Sequence, residues 1–131
     1  MTIFIIEPDR ILARQYQKAL IQAGFTVKLY SAAQKAVAAI DKEKPAAIVL
    51  ELQLAGHSGI EFLHEFRSYE DWSNIPIFVL SGVPEYALGT DAKTWAAFGV
   101  SRYFYKPQTS LVQLVGAIKG VLDKSELTTS T

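Results

Sequence analysis

Four polar side chains in this sequence stand directly after short apolar runs. The runs are residues 3–6, 46–50, 75–80 and 100–105, and they are followed by Glu7, Glu51, Ser81 and Lys106. Each is a weak indication alone, because Ser before Gly is common turn chemistry and Lys before Pro is usually a solvated loop residue. Together, two carboxylates, a hydroxyl and an ammonium group would form a polar site if the runs end at one edge of a sheet.

The run that closes on Glu51 indicates how these groups are positioned. It is short, uninterrupted and bounded by Pro45 and a glycine-bearing loop, which is typical of a parallel strand buried on both faces. Ligands of open α/β sheets bind at the carboxyl edge of the strands. We therefore expect Glu51 to lie at that edge, facing the other strand ends.

The rest of the chain alternates between strand and helix patterns. Helices are predicted between the strands, with Ser31 as an N-cap, Gly24 and Gly99 as helix stops, Gly89 as an interruption and 67–74 as a loop. The predicted strands are 3–6, 25–30, 46–51, 75–80 and 100–105, and the predicted helices are 10–23, 32–40, 60–66, 84–98 and 110–122. The first helix should bury Ile11, Leu12, Tyr16, Ala19, Leu20 and Ala23, and the last Leu111, Val112, Leu114, Val115, Ile118, Val121 and Leu122. Five such strands predict a doubly wound α/β domain with a five-stranded parallel sheet, since parallel neighbours need helical crossovers.

Composition narrows the class of protein. The chain has 131 residues, thirteen basic and thirteen acidic side chains, and no cysteine, so neither nucleic acid, an anionic membrane nor a thiolate metal site is indicated. The N-terminal run is too short to cross a bilayer and lacks a basic leader. We expect one domain over residues 1–122, a disordered tail or the start of a linker over 123–131, and a cytoplasmic location.

The ordered set of motifs resembles the receiver domain of bacterial response regulators, of the chemotaxis-regulator type. The matching features are the acidic cluster at 7–9, the acid Glu51 before the loop 54–59, the pair Ser81-Gly82, and Tyr103 three residues before Lys106-Pro107. The resemblance implies a flavodoxin-like strand order 2-1-3-4-5 and a role in phosphorelay signal transduction. In that family, carboxylates after strand one and an aspartate ending strand three bind magnesium, and the aspartate accepts a phosphoryl group from a histidine kinase. The lysine contacts that group, the Ser or Thr moves toward it, and an aromatic residue on strand five follows.

Two residues depart from the family pattern. The phosphoacceptor position holds Glu51, whose carboxylate lies one methylene further out, and the second acidic position after strand one holds Pro8. A misplacement of about 1 Å can cost on the order of 100-fold in rate, and proline supplies no ligand for an ion that is usually held by one or two carboxylates. Asp9 could replace the missing acid, although it is also a favoured N-cap for the first helix.

These departures predict a pseudo-receiver that is not an enzyme and works through protein–protein interaction. Glu51 should extend toward Lys106 and occupy part of the space of the absent phosphoryl group. No cofactor is expected, and any Mg²⁺ should bind weakly, through Glu7, Glu51 and the backbone of Gln53. Two alternatives stay open: a receiver still phosphorylated on Glu51 or on Asp9 with a displaced divalent ion, and a flavodoxin-like domain that binds a small ligand.

The predicted partner is an output domain, a kinase or a second copy of the chain, with no direct contact to nucleic acid or membrane. Receiver domains commonly associate through helix four, strand five and helix five, and Arg102, Tyr103 and Tyr105 place cationic and aromatic side chains on that strand. We predict that this face, including Trp95 and Tyr103, binds the partner.

Other candidate groups carry less chemistry. His57 and His64 lack a supporting ligand cluster and are expected in solvated loop and helix positions. Gly56, Gly59 and Gly82 fit turns after strands and match no phosphate-binding loop. No serine or lysine has a base spaced to activate it.

Overall fold

The computed structural model describes residues 1–54 and 58–129 as a parallel sheet with helices on both faces. The sheet order is β2-β1-β3-β4-β5 with every neighbouring pair parallel, which confirms the predicted fold class. The strands are β1 (Thr2–Ile6), β2 (Thr26–Tyr30), β3 (Ala47–Leu50), β4 (Ile77–Ser81) and β5 (Val100–Tyr105). The helices are α1 (Arg10–Gln22), α2 (Ala33–Lys42), α3 (Gly59–Arg67), α4 (Ala92–Ala97) and α5 (Leu111–Thr129), and single 3-10 turns cover Glu70–Trp72, Glu85–Leu88 and Lys106–Gln108.

The sheet separates two apolar cores. One contains side chains of α2, α3 and α4 and is built around Phe62, Phe66 and Trp72, while the other lies under α1 and α5 around Leu20 and Ile118. All four residues of β3 are buried, as expected of a central strand covered on both faces. Because β3 is also the central strand of the sheet, its end lies at the middle of the carboxyl edge.

Strand register brings the carboxyl ends together. Ile6 pairs with Leu50, Leu50 with Val79, and Ser81 with Tyr105, so β1, β3, β4 and β5 end within a residue or two of one another. Glu7, Glu51 and Lys106, which follow their strands, and Ser81, which ends β4, therefore all lie at this edge of the sheet.

Helix starts follow side-chain capping in three places. Asp9, Ser58 and Asp91 each accept a hydrogen bond from a backbone N–H of the first turn of α1, α3 and α4. The prediction that Ser31 caps the second helix is wrong. The N-cap is Ala32, which offers no side-chain hydrogen bond, because α2 begins one residue later than the helical pattern suggested. Gly24 and Gly99 do follow helix ends, with φ of +100° and +76°.

The fourth predicted helix is two short pieces. A 3-10 turn over Glu85–Leu88 ends at Gly89, whose φ of +61° is left-handed, and α4 then covers Ala92–Ala97. The expected interruption at Gly89 is therefore a complete break, since a left-handed residue cannot continue a right-handed helix.

The segment 67–74 is more than the loop that its polarity predicts. Trp72 is 4% exposed and packs against Phe66, and the Arg67 guanidinium donates to the carbonyl oxygens of Trp72, Ser73, Ile75 and Phe98. This arginine joins the end of α3 to the start of β4 and to the turn between α4 and β5.

Helix α5 is longer than predicted. It continues past the predicted end at Leu122 to Thr129. A disordered tail or the start of a linker over 123–131 stays a prediction. Its buried positions are Leu114, Ile118 and Leu122, spaced by four. Val112 was predicted to be buried but is 83% exposed, because it lies two residues and so about 200° from Leu114 around the helix.

Two further outward apolar residues correct the sequence prediction. Leu111 is 38% exposed on the first turn of α5, and Ile11 is 72% exposed on α1, two residues before the buried Ala13. Among the described residues, no helix has the length and apolarity needed to span a bilayer.

Candidate functional site at the carboxyl edge of the sheet

An ion-paired cluster of Glu7, Glu51 and Lys106 occupies the carboxyl edge. The Lys106 ammonium lies 2.7 Å from Oε1 of Glu51 and 2.5 Å from Oε1 of Glu7. Both glutamates are 4% exposed, and the lysine side chain is 19% exposed. The strand ends thus hold two carboxylates and one ammonium group in direct contact, which we call the Glu–Lys–Glu cluster.

Glu51 is held at both carboxylate oxygens. Oε1 accepts from Lys106 and from the backbone N–H of Gly82 at 3.2 Å, and Oε2 accepts from the backbone N–H of Gln53 at 3.2 Å. Burial raises the pKa of Glu51, but hydrogen bonds from Lys106, Ser81 and these two N–H groups outweigh it, so the pKa is lowered. Glu51 is therefore a fixed anion at neutral pH.

Lys106 and Glu7 complete the charge balance. Burial lowers the pKa of Lys106, yet the hydrogen bonds and negative charges of Glu51 and Glu7 raise it above the ordinary value. Glu7 also accepts from the backbone N–H of Asp9 at 3.2 Å through Oε2. The cluster carries one more carboxylate than ammonium group, so its formal charge is negative by one.

Ser81 connects the cluster with β5. Its side chain is fully buried, hydrogen-bonds to Glu51, and accepts from the backbone N–H of Val83 at 3.1 Å. The Tyr103 hydroxyl donates to the carbonyl oxygen of Val83 and also contacts Ser81, while burial raises the Tyr103 pKa. A polar path thus runs from Lys106 through Glu51 and Ser81 to Tyr103.

Asp9 and Pro8 lie outside the cluster. The Asp9 carboxylate accepts from the N–H groups of Ile11 at 2.9 Å and Leu12 at 3.1 Å, which makes it the N-cap of α1. Both residues are exposed. The Asp9 carboxylate thus serves as a helix cap, while only the backbone N–H of Asp9 contacts the cluster, through Glu7.

The predicted interface residues differ in exposure. Tyr105 and Tyr103 are half-buried on β5, and Arg102 is exposed with its guanidinium carbon 4.9 Å from the centroid of the Phe104 ring. Trp95 is only 5% exposed and packs 5.3 Å from the Tyr103 ring, between centroids. Trp95 can therefore support this face from beneath but does not present its side chain to a partner.

The histidines lie away from the cluster where the structure describes them. His64 is exposed on α3, with its ring edge against Phe98 at 4.8 Å between centroids, and His57 lies outside the described residues, as does Gly56. Within residues 1–54 and 58–129, no group of three or more His, Asp or Glu side chains is arranged to hold a metal ion.

Sequence reasoning missed the backbone hydrogen-bond partners of the site. The N–H groups of Gln53 and Gly82 fix Glu51, and the carbonyl of Val83 fixes Tyr103. The sequence does place a glycine, Gly82, at one of these donors, but a Cβ there would make an ordinary contact with Gln53 at 3.4 Å, so the residue type did not reveal the hydrogen bond.

Comparison with known proteins assigns this architecture to a family. Residues 3–119 match the response regulator receiver domain. The chain belongs to that family. Solved structures with the same fold include a sensor protein from Polaromonas sp. JS666 (TM-score 0.82, 22% identity, 94% of this chain and 96% of that one). Another is a CheY-like receiver domain from Methanospirillum hungatei (TM-score 0.82, 20% identity, 95% of each chain).

Curated relatives of this receiver domain are longer proteins. Response regulator MprA of Mycobacterium ulcerans is 28% identical over 128 residues, covering 95% of this chain and 51% of the relative. The probable transcriptional regulatory protein TcrX of Mycobacterium tuberculosis is 25% identical over 132 residues, covering 98% and 53%. The chain thus spans about half the length of the curated relatives it matches.

Proposed function

We propose that this chain is a two-component receiver domain that signals without aspartyl phosphorylation, through contacts with a protein partner. The observation that carries the proposal is the direct contact between Glu51 and Lys106 at 2.7 Å. In a receiver with aspartate at this position, the lysine would be available to the phosphoryl group. Here the longer acid takes that contact itself.

The environment of Glu51 also argues against its acting as a nucleophile. Its two oxygens accept four hydrogen bonds in total, from Lys106, Gly82, Gln53 and Ser81, and these hold the carboxylate in the cluster. An attacking oxygen must lie about 3–3.5 Å from phosphorus, in line with the leaving group. Reaching that position would require Glu51 to give up its ion pair inside a buried site.

We infer that a divalent ion binds this site weakly. The donors that Mg²⁺ would need are carboxylate oxygens, and Oε1 of both Glu7 and Glu51 is already in contact with Lys106. Pro8 contributes no side-chain oxygen and Asp9 is engaged as a helix cap. The residues present do not fit an octahedral ion without loss of the cluster.

The cluster is suited to holding one conformation. A difference of about 1.4 kcal/mol between two states is already a tenfold bias. Breaking a buried ion pair by removing one partner is commonly worth about 3–5 kcal/mol. A conformation that separated Lys106 from the two carboxylates would leave buried charges uncompensated, which favours the state in which they are paired.

A protein partner completes the proposed function. Members of this family act with kinases and output domains, and one relative is named as a probable transcriptional regulatory protein. We assign partner binding to the face made by α4, β5 and α5, where Arg102 is exposed and Tyr105 is half-buried. A cytoplasmic location is part of the same proposal.

Intact-mass measurement after incubation with acetyl phosphate and Mg²⁺ tests the central claim. We expect no stable gain of a phosphoryl group in the wild-type chain. A gain that disappears in Glu51→Gln would overturn the proposal, and a gain that survives in Glu51→Gln but is lost in Asp9→Asn would favour the alternative acceptor. A response regulator with an intact aspartate, treated in parallel, shows that the reagent is active.

A further inference from the structure

A cavity lies beside the Glu–Lys–Glu cluster, between α1 and the turn from β2 to α2, and shares Glu7 with that cluster. It encloses about 230 Å³, and its wall includes Arg10, Arg14, Tyr30, Ser31 and one side of Glu7. Drug-sized ligands usually occupy pockets of about 300–1,000 Å³. This cavity is therefore the size of a small anion or a small polar molecule.

The two arginines give the cavity its chemistry. They stand four residues apart on α1, so both project on the same side of the helix, toward Ser31 and Tyr30. Neither guanidinium has a hydrogen-bond or ion-pair partner among the described residues, and α1 contains no acidic residue. Each guanidinium presents paired N–H donors that match the oxygens of a phosphate, and two such groups line this one small cavity.

The opposite wall adds donors and no opposing carboxylate. Ser31 contributes a hydroxyl, and it directly precedes Ala32, the N-cap of α2 that supplies no side-chain hydrogen bond. The first N–H groups of α2 are therefore without a side-chain acceptor at their helix start. These groups could add hydrogen bonds to an anion, but the two arginines supply the positive charge.

Glu7 is the one acid in the wall, and its charge is compensated. Its Oε1 lies 2.5 Å from Lys106 and its Oε2 accepts from the N–H of Asp9. The Glu–Lys–Glu cluster as a whole is negative by one charge, while Arg10 and Arg14 add two positive charges beside it. Among the residues that line the cavity itself, Arg10, Arg14 and Glu7 are charged, and their formal charges add up to one positive charge.

We propose that this cavity is a binding site for a phosphate dianion, held by Arg10 and Arg14 with Ser31 as an additional donor. The ligand is either inorganic phosphate or the phosphate group of a small monoester, since both present the same oxygens. Binding is non-covalent and separate from Glu51, so it holds whether or not Glu51 accepts a phosphoryl group. Because Glu7 is shared, an occupied cavity would also be sensed at Lys106.

Isothermal calorimetry and amide chemical shifts of the whole chain test this site, with inorganic phosphate and glycerol phosphate as separate probes. We expect saturable binding that shifts the amides of Arg14 and Ser31. Arg14→Gln should weaken it at least tenfold, and Arg10→Gln should weaken it similarly. Lys18→Gln is the matched control, because it removes the same charge from the next turn of α1 without lining the cavity.

The two probes separate the two sources of the ligand. Tighter binding of glycerol phosphate identifies a monoester as the ligand class, and equal or tighter binding of inorganic phosphate identifies the free ion. The proposal is overturned if neither probe saturates, if chloride at equal ionic strength produces the same shifts, or if Lys18→Gln weakens binding as much as Arg14→Gln. In those outcomes the arginines only balance the excess charge of the cluster. An unchanged intact mass distinguishes this binding from phosphorylation of Glu51.

Discussion

Lys106 and Glu51 are joined at 2.7 Å although β4 lies between the strands that carry them. The contact passes over the end of β4, where Ser81 is fully buried beneath it. A single ion pair thus links the centre of the sheet to its edge strand. It adds a side-chain link to the backbone pairing that holds β5 against β4.

Removal of this lysine should strongly destabilise the domain. Lys106→Met keeps most of the side-chain volume but leaves Glu7 and Glu51 buried without a counter-charge, and we expect a loss of about 3–5 kcal/mol at neutral pH. Without Lys106, burial should raise the pKa of Glu51 in the folded state, so part of the lost stability should return as the pH falls from neutral. Urea unfolding at several pH values measures both effects.

The surface pair Lys28–Glu43 provides the control for that variant. Its charged atoms also lie 2.7 Å apart, but the side chains are 46% and 50% exposed. Lys28→Met should therefore change the free energy of unfolding far less than Lys106→Met does. If Lys106→Met is equally mild, the cluster is too well solvated to hold the domain in one state.

The wild-type protein should be most stable between the titrations of Glu51 and Lys106. The folded-state pKa of Glu51 is lowered from 4.5, so its contribution is present above that pH and is lost as the pH falls through the folded value. The pKa of Lys106 is raised from 10.5, so its contribution is present below that pH and is lost as the pH rises through the folded value. Melting temperatures of wild type and Glu51→Gln should therefore converge in acid, and curves that stay parallel would contradict the assignment.

Restoration of the two departing residues should restore ion binding. In Pro8→Asp with Glu51→Asp, the shorter acid no longer reaches Lys106 in the same way, and a second carboxylate becomes available for Mg²⁺. Calorimetry should detect Mg²⁺ binding in the double variant and much weaker binding in wild type. Mg²⁺ affinity of Glu51→Asp alone separates the effect of the shorter acid from that of the added carboxylate at position 8. Equal affinity in wild type and double variant would show that these positions do not limit the ion.

Gly99 should tolerate a side chain far less well than Gly89. Both have a left-handed backbone, which costs alanine about 1–2 kcal/mol. A Cβ at Gly89 meets nothing within 4 Å, whereas one at Gly99 would lie 1.8 Å from Nη2 of Arg67. Displacement of Arg67 leaves carbonyl groups unpaired, so Gly99→Ala should cost about 2–4 kcal/mol more than Gly89→Ala.

A double-mutant cycle isolates that contact. In an Arg67→Ala background the clash is absent, so Gly99→Ala should become as mild as Gly89→Ala, measured by chemical unfolding. Additive costs would show that Arg67 moves aside without loss.

Association through β5 should depend on its exposed cation. Arg102→Glu reverses a charge on an exposed side chain and should weaken self-association or partner binding with little change in melting temperature. Tyr103 is less suitable as a surface probe, because it is half-buried and hydrogen-bonded to Val83. Analytical ultracentrifugation across a concentration series measures the effect, with Lys18→Glu on α1 as the matched charge-reversal control. A dimer insensitive to Arg102→Glu would place the interface elsewhere.

The sequence predicted the sheet and the strand-end residues because both follow from local patterns. Buried parallel strands such as Ala47–Leu50 are short apolar runs, and whatever follows them must lie at one edge. The errors came from positions where tertiary packing decides. The outward position of Val112 follows from its angle to Leu114, but polarity could not show that Trp72 is buried or that Arg67 hydrogen-bonds to the carbonyl groups of the segment 72–75. The hydrogen bonds from Gln53 and Gly82 to Glu51 were invisible, because backbone donors have no sequence signature.

Trp95 gives the domain a built-in optical probe. Its side chain is 95% buried against Tyr103, and its indole Nε1–H has no acceptor among the described residues. An indole in such surroundings emits at short wavelength, and emission shifts to the red when water or a carbonyl reaches the N–H. Separation of α4 from β5 would therefore shift the emission of Trp95 to longer wavelength, alongside the emission of the second buried tryptophan, Trp72. No label and no engineered residue is needed.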